Sequence, residues 1–296
     1  MQKIGFIGLG IMGKPMAKNL LKAGYRLVVF DMNPEPVREL TQLGAEVAKN
    51  AAEVARESEI IITMLPNSPD VKAAVLGQNG ILEGAEPGKI LIDMSSIAPG
   101  ASQEIAAKVA EKGVKMLDAP VSGGEPKAID GTLSIMVGGE EELFNQVKDL
   151  LGCMGKSVVW IGPVGSGNVT KLANQIIVAL NIIAMSEALV LAQKVGVAPE
   201  RVYQAIRGGL AGSTVLDAKA PLILKRQFAP GFRIELHLKD LRNAMETGNQ
   251  FDVPLKFTSL ATEVLQALNE TGKGRLDHGA IVQYFEKLSG VEVSGC

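Results

Sequence analysis

Gly5-Phe6-Ile7-Gly8-Leu9-Gly10-Ile11-Met12-Gly13 runs from an apolar segment through three spaced glycines into a helical pattern. In such a GxGxxG, Gly8 permits a tight turn, Gly10 lets a pyrophosphate approach the backbone, and Gly13 lets helix pack on strand. The helix N-terminus then offers free N–H groups and a positive dipole end to a diphosphate. A second strand-like run, Arg26–Phe30, ends in Asp31, 18 residues after Gly13, where a carboxylate can bond the ribose hydroxyls of adenosine. A lone GxGxxG is weak evidence. Strand, glycines, helix, second strand and terminal acid in that order point to dinucleotide binding by Gly8, Leu9, Gly10, Ile11, Met12, Gly13 and Asp31. Asp31 repels a 2′-phosphate, Met32-Asn33-Pro34 brings no arginine, and Arg38 lies too far along. NAD(H) is therefore expected over NADP(H).

Outward from this motif, apolar runs alternate with helical patterns. Strands are expected at Lys3–Ile7, Arg26–Phe30, Ile60–Met64, Ile90–Asp93, Lys115–Asp118, Ser134–Val137 and Ser157–Trp160, with helices such as Met12–Ala23, Ala101–Lys112 and Glu140–Leu151 between them. That alternation predicts a doubly wound, largely parallel α/β sheet. Gly162-Pro163-Val164-Gly165-Ser166-Gly167 breaks it. Beyond lie only helical patterns: a long one at Asn168–Val195 with a cap from Ser166, then Pro199–Arg207, Ser213–Leu224, Leu236–Asn249, Pro254–Asn269 and Asp277–Leu288, the last capped by Asp277. The expected architecture is a Rossmann-type α/β domain over residues 1–163 and an all-α domain over 164–296, led by a long interdomain helix. The tail Ser294-Gly295-Cys296 is expected to be loose.

Composition narrows the function. The 296 residues carry a formal charge of -2, with no basic stripe to neutralise phosphates, so nucleic acid is not an expected partner. Two cysteines, Cys153 and Cys296, form no disulfide framework or metal-spaced pattern. Only His237 and His278 are present, far apart in sequence, which argues against a zinc site or histidine triad and favours structural or surface roles. The helix after Lys171 has the length of a membrane span. Asn174, Gln175, Asn181, Ser186, Glu187 and Gln193 interrupt it, so a buried helix is expected, with no membrane partner and a cytoplasmic location.

Lys171 puts an ammonium at the head of that apolar helix, where burial is costly without a partner or a task. Asn174, one turn on, shares its face. Most helix lysines are merely solvated; this one stands beside a domain junction, where ligand clefts concentrate. Asp118-Ala119-Pro120-Val121-Ser122-Gly123-Gly124 follows a strand, and its Ser-Gly-Gly can be an ordinary turn or a nest for a small carboxylate. Leu238-Lys239-Asp240-Leu241 supplies a second lysine, which by itself reads equally as a solvated charge pair.

Together, Gly5–Gly13, Asp118–Gly124, Gly167–Asn174 and Leu238–Leu241 resemble the β-hydroxyacid dehydrogenase family related to 3-hydroxyisobutyrate dehydrogenase. The likeness spans the chain in order and spacing, and Ile92–Ser96 and Gly208–Thr214 add to it. It implies catalysis by Lys171, a positioning role for Asn174, a substrate carboxylate on Ser122, Gly123 and Gly124, and cofactor contacts from Leu65, Pro66, Ser96 and Lys239. Many relatives have threonine where Ser96 keeps the hydroxyl. Imine-reducing relatives replace the lysine, so its retention implies carbonyl chemistry. The implied reaction is reduction of tartronate semialdehyde to D-glycerate by NADH, with methylmalonate semialdehyde as the competing substrate and a non-catalytic dinucleotide sensor as the other class. Lys171 acts as the proton donor, its pKa drawn down by the helix N-terminus and up by a substrate carboxylate. Ser213 or Thr214 is expected near the substrate hydroxyl. A homodimer or homotetramer is implied.

Overall fold

The computed structural model describes residues 2–295. The chain packs into two units that part between Lys171 and Leu172. The first unit is built on a nine-stranded sheet. Its strands are β1 (Lys3–Ile7), β2 (Arg26–Phe30), β3 (Glu46–Val47), β4 (Ile60–Thr63), β5 (Ile90–Asp93), β6 (Lys115–Asp118), β7 (Val121–Ser122), β8 (Leu133–Gly138) and β9 (Gly155–Gly162). They lie in the order β3-β2-β1-β4-β5-β6-β8-β7, with β9 also on β8. From β3 to β6 every pairing is parallel; β8 runs antiparallel to β6 and β7, and parallel to β9.

The sequence explains this arrangement. Central strands such as Ile60-Ile61-Ile62 are apolar at successive positions because both sheet faces are covered. Ile60 and Ile62 pack with Ile4, Phe6 and Ile92 in one core, and Ile61 with Ile7 and Leu91 in another. Burying each such side chain stabilises the unit by about 1.5–3 kcal/mol. All seven expected strands form, but β3 and β7, two residues each, carry too little pattern to be foreseen. Helices Pro34–Gln42, Ala51–Glu57, Ser68–Leu76, Ile81–Gly84 and Gly124–Asp130 complete the layers.

Register then sets the site. Thr63 pairs with Asp93, and Asp93 with Asp118, so three polar residues end adjacent parallel strands in one row. All three are fully buried. Parallel sheets present ligands at this C-terminal edge.

The second unit is helical. The long helix, Ser166–Lys194, begins in the first unit and continues here, followed by Pro199–Ile206, Thr214–Leu224, Ile234–Gln250, Lys256–Leu268 and Val282–Ser289. By length and composition the long helix could cross a membrane. Its Ala179, Ile182, Met185, Leu189 and Val190 instead pack in the helical core with Ile234, Leu238, Leu241, Ala261 and Leu265. Three expectations are corrected. Ser166 lies inside the long helix rather than capping it from Asn168. Asp277 caps a short 3-10 turn, His278–Ile281, ahead of the last helix. The tail is tied down at Gly295, whose N–H donates to Leu224 O at 2.9 Å, while Cys296 lies outside the described residues.

Candidate active site

At the glycine loop, a Cβ on Gly13 would stand 1.9 Å from Gly8 O, so helix and strand meet only because the side chain is missing. A Cβ on Gly10 would meet nothing within 4 Å, which leaves an open cradle where a diphosphate has to approach backbone N–H groups. Asp31 closes the cradle. Its Oδ2 accepts from Leu9 N at 2.5 Å and its Oδ1 from Asn33 N at 2.7 Å, so the carboxylate stands against the loop with lone pairs left for hydroxyls. Ile11 and Met32 are exposed beside it, Met32 at 94%. These residues fit a dinucleotide.

The row of strand ends fixes the next loops. Asp93 Oδ1 accepts from Thr63 Oγ1 at 2.8 Å and Ser95 N at 3.2 Å, and Ser95 Oγ accepts from Leu65 N at 2.8 Å. The carboxyl thereby ties Thr63 to Ser95, and the Ser95 hydroxyl in turn holds Leu65. Asp93 Oδ2 is buried without a hydrogen bond. Burial pushes the Asp93 carboxyl up to about 6, against the opposing pull of the Ser95 and Thr63 bonds.

Asp118 anchors the start of the long helix, taking Gly165 N at 2.7 Å and Asn168 N at 2.8 Å. Its carboxyl is raised by burial, and these backbone N–H groups oppose the rise. Asn168, itself fully buried, accepts from Ile97 N at 3.0 Å and donates to Ser102 Oγ at 3.1 Å. Ser96 thus sits between two pinned neighbours. Five residues into this anchored helix comes Lys171, only 6% exposed, so the solvated-lysine interpretation fails.

Ser122 ends β7, paired with Ser134, rather than lying in a free loop. Gly123 follows at φ 141°, a conformation L side chains rarely adopt, and a Cβ there would come within 2.7 Å of the Lys127 side chain. Glycine is required at this turn.

In the second unit, Asn174 stands one turn beyond Lys171 on the same helix. Its Nδ2 donates to Gln175 Oε1 at 2.9 Å, and Gln175 Nε2 donates to Asp240 Oδ2 at 2.5 Å. Asp240 Oδ1 makes no directed hydrogen bond and is ion-paired with Lys239 Nζ at 2.8 Å. Asp240 is 1% exposed, so the Lys239–Asp240 pair is not a solvated one. The structure therefore links two foreseen residues, Asn174 and Lys239, through Gln175 and Asp240, whose roles were not foreseen. No spacing rule relates residues that far apart; only the crossing of two helices does.

Of the two roles expected for the histidines, structural or surface, the packing favours the structural one. Both are buried, and His237 Nδ1 lies 3.0 Å from His278 Nδ1. Among the described residues no cluster of three His, Cys, Asp or Glu side chains could hold a metal ion. Cys153 is partly buried, its thiol 3.4 Å from Asp149 O and raised by burial. Ser213 Oγ accepts from Leu216 N at 3.0 Å as a helix cap, and Thr214 is exposed.

A doubly wound sheet with an open glycine cradle, a carboxylate at the end of the second strand and a buried lysine on an anchored helix are the features of a nicotinamide-dependent oxidoreductase. Residues 3–162 match the model of the NAD binding domain of 6-phosphogluconate dehydrogenase, and residues 165–285 that described as NAD-binding of NADP-dependent 3-hydroxyisobutyrate dehydrogenase. The chain is 46% identical to 2-hydroxy-3-oxopropionate reductase of Escherichia coli (strain K12), covering 97% of this chain and 98% of the relative. It is 40% identical to 2-(hydroxymethyl)glutarate dehydrogenase of Eubacterium barkeri, covering 99% and 98% respectively. Among solved structures, 3-hydroxyisobutyrate dehydrogenase of Mycobacterium tuberculosis with L-serine superposes with a TM-score of 0.90 at 31% identity, covering 96% of this chain and 99% of that one. The chain belongs to the β-hydroxyacid dehydrogenase family and is an NAD(P)-dependent oxidoreductase.

Proposed function

We propose that the enzyme reduces tartronate semialdehyde (2-hydroxy-3-oxopropanoate) to D-glycerate, with NADH preferred over NADPH and Lys171 as the general acid. The observation that carries this proposal is the burial of the Lys171 ammonium, 6% exposed, on a helix whose start is fixed by Asp118. The 46% identity to a 2-hydroxy-3-oxopropionate reductase supports the substrate, and the Asp31 carboxylate supports NADH.

The nicotinamide, when bound, supplies hydride to the aldehyde carbon. Lys171 stabilises the negative charge growing on the carbonyl oxygen and gives it a proton; in the reverse direction the amine takes it back. Asn174 orients the substrate, and Ser122, Gly123 and Gly124 hold its carboxylate. Gly8 to Gly13, Asp31, Leu65, Pro66, Ser96 and Lys239 hold the cofactor. Residues 1–163 serve as the nucleotide-binding domain, and 164–296 as the substrate and self-association domain of a cytoplasmic homodimer or homotetramer. Exposed Ile177, Leu191, Phe251 and Phe257 support self-association.

The test is NADH oxidation with tartronate semialdehyde, methylmalonate semialdehyde and glyoxylate in parallel. A kcat/KM highest for tartronate semialdehyde is expected. A preference for methylmalonate semialdehyde would make the enzyme a 3-hydroxyisobutyrate dehydrogenase, and cofactor binding without turnover would make it a sensor.

A further inference from the structure

We propose that Gln175 is a positioning residue that fixes which end of the Asn174 carboxamide faces the substrate and couples Asn174 to Lys239. The inference rests on the assignment of Asn174 to substrate and Lys239 to cofactor made above.

The starting point is a buried charge. Asp240, 1% exposed, is ion-paired with Lys239 at 2.8 Å, and an ionised carboxylate only accepts hydrogen bonds. Gln175, 4% exposed, therefore turns its NH₂ toward Asp240 Oδ2, at 2.5 Å. Its carbonyl end is left facing Asn174, which has to present Nδ2, at 2.9 Å. Flipping the buried Gln175 amide sets oxygen against the Asp240 carboxylate and NH₂ against NH₂, stranding polar groups, and flipping the half-buried Asn174 amide sets oxygen against oxygen and loses their bond. The polarity of Asn174 is thus dictated two residues away, by the Asp240 charge.

The backbone of Gln175 is held as well. Its carbonyl lies 3.1 Å from His237 Nε2 and only accepts, so Nε2 is the protonated nitrogen. His237 Nδ1 then accepts from His278 Nδ1 at 3.0 Å. Helix Ile234–Gln250 therefore grips Gln175 at side chain and main chain together, through Asp240 and His237. The groups bonded to the Gln175 amide include Asn174 on its own helix and Asp240 with its paired Lys239; His278 stands behind His237.

Two variants separate positioning from mere packing. Gln175→Leu keeps the bulk and removes both amide bonds; its kcat/KM for the semialdehyde should fall on the order of tenfold to a hundredfold, chiefly through KM. Gln175→Glu keeps the shape but donates to Asp240 only when its new carboxyl is protonated. Its kcat/KM, relative to the parent, should recover as pH falls. Unchanged kinetics in Gln175→Leu, or a Gln175→Glu pH profile parallel to the parent's, overturns the proposal. If Gln175→Leu fails to fold, the Gln175→Glu profile decides alone. Lys171→Ala runs alongside: full turnover there sinks the proposed chemistry itself, whereas its collapse beside parent-like Gln175 variants sinks only the positioning role.

Discussion

Asp93 shows how one side chain can organise a site and still cost stability. It ties Thr63 to Ser95, whose hydroxyl holds Leu65 N, yet its Oδ2 has no hydrogen bond and its carboxyl is raised from 3.8 to about 6. An acid raised on folding binds its proton more tightly in the native state, so stability falls as pH climbs from about 4 to 6 and then levels. The contribution lost is on the order of 3 kcal/mol. Urea titrations of the parent and Asp93→Asn at pH 4.5 and 7.5 should show the parent's advantage shrinking at the higher pH. An advantage that grows with pH contradicts the shift. At Asp31, replacement of the carboxylate by Asp31→Ser should narrow the proposed preference for NADH over NADPH by about tenfold in kcat/KM, the worth of one charge-assisted bond. A ratio unchanged by the substitution would remove Asp31 from cofactor choice.

At the scale of elements, the long helix suits the chemistry proposed for it because both its start and its course are held. Asp118 and Asn168 tie its first turn to the sheet edge. Its Gln175 is tied to helix Ile234–Gln250. The cap on helix Thr214–Leu224 offers a local test of the substrate expectation placed on Ser213. Loss of the cap in Ser213→Ala should cost about 1 kcal/mol in stability. If the semialdehyde ratio stays fixed as stability drops, Ser213 is a cap alone; a changed ratio would bring its hydroxyl back to specificity.

The sequence made the glycine loop and Lys171 legible because each depends on neighbours close in the chain: a strand before, a helix after, an ammonium in an apolar run. The strands β3 and β7 escaped because two residues cannot show a period. The histidine pair and the Asn174–Gln175–Asp240–Lys239 chain escaped for another reason. Their members come from different helices, and only tertiary packing turns His237 from a lone residue into half of a buried pair.

For the whole molecule, the apolar surface left on the helical unit carries a further prediction. Ile177, Leu191, Phe251, Phe257, Leu260 and Leu288 are all more than half exposed. Sedimentation of the purified protein should give a multiple of the 31.2 kDa chain, and a monomer at micromolar concentration would contradict self-association. The central claim, however, is that a buried ammonium at the head of the long helix protonates a carbonyl oxygen. The decisive measurement is the steady-state oxidation of NADH with tartronate semialdehyde by the parent and Lys171→Ala, with NADH binding measured on both. The account predicts a fall in kcat of about 100-fold to 10,000-fold with NADH affinity retained. Undiminished turnover in Lys171→Ala would contradict it.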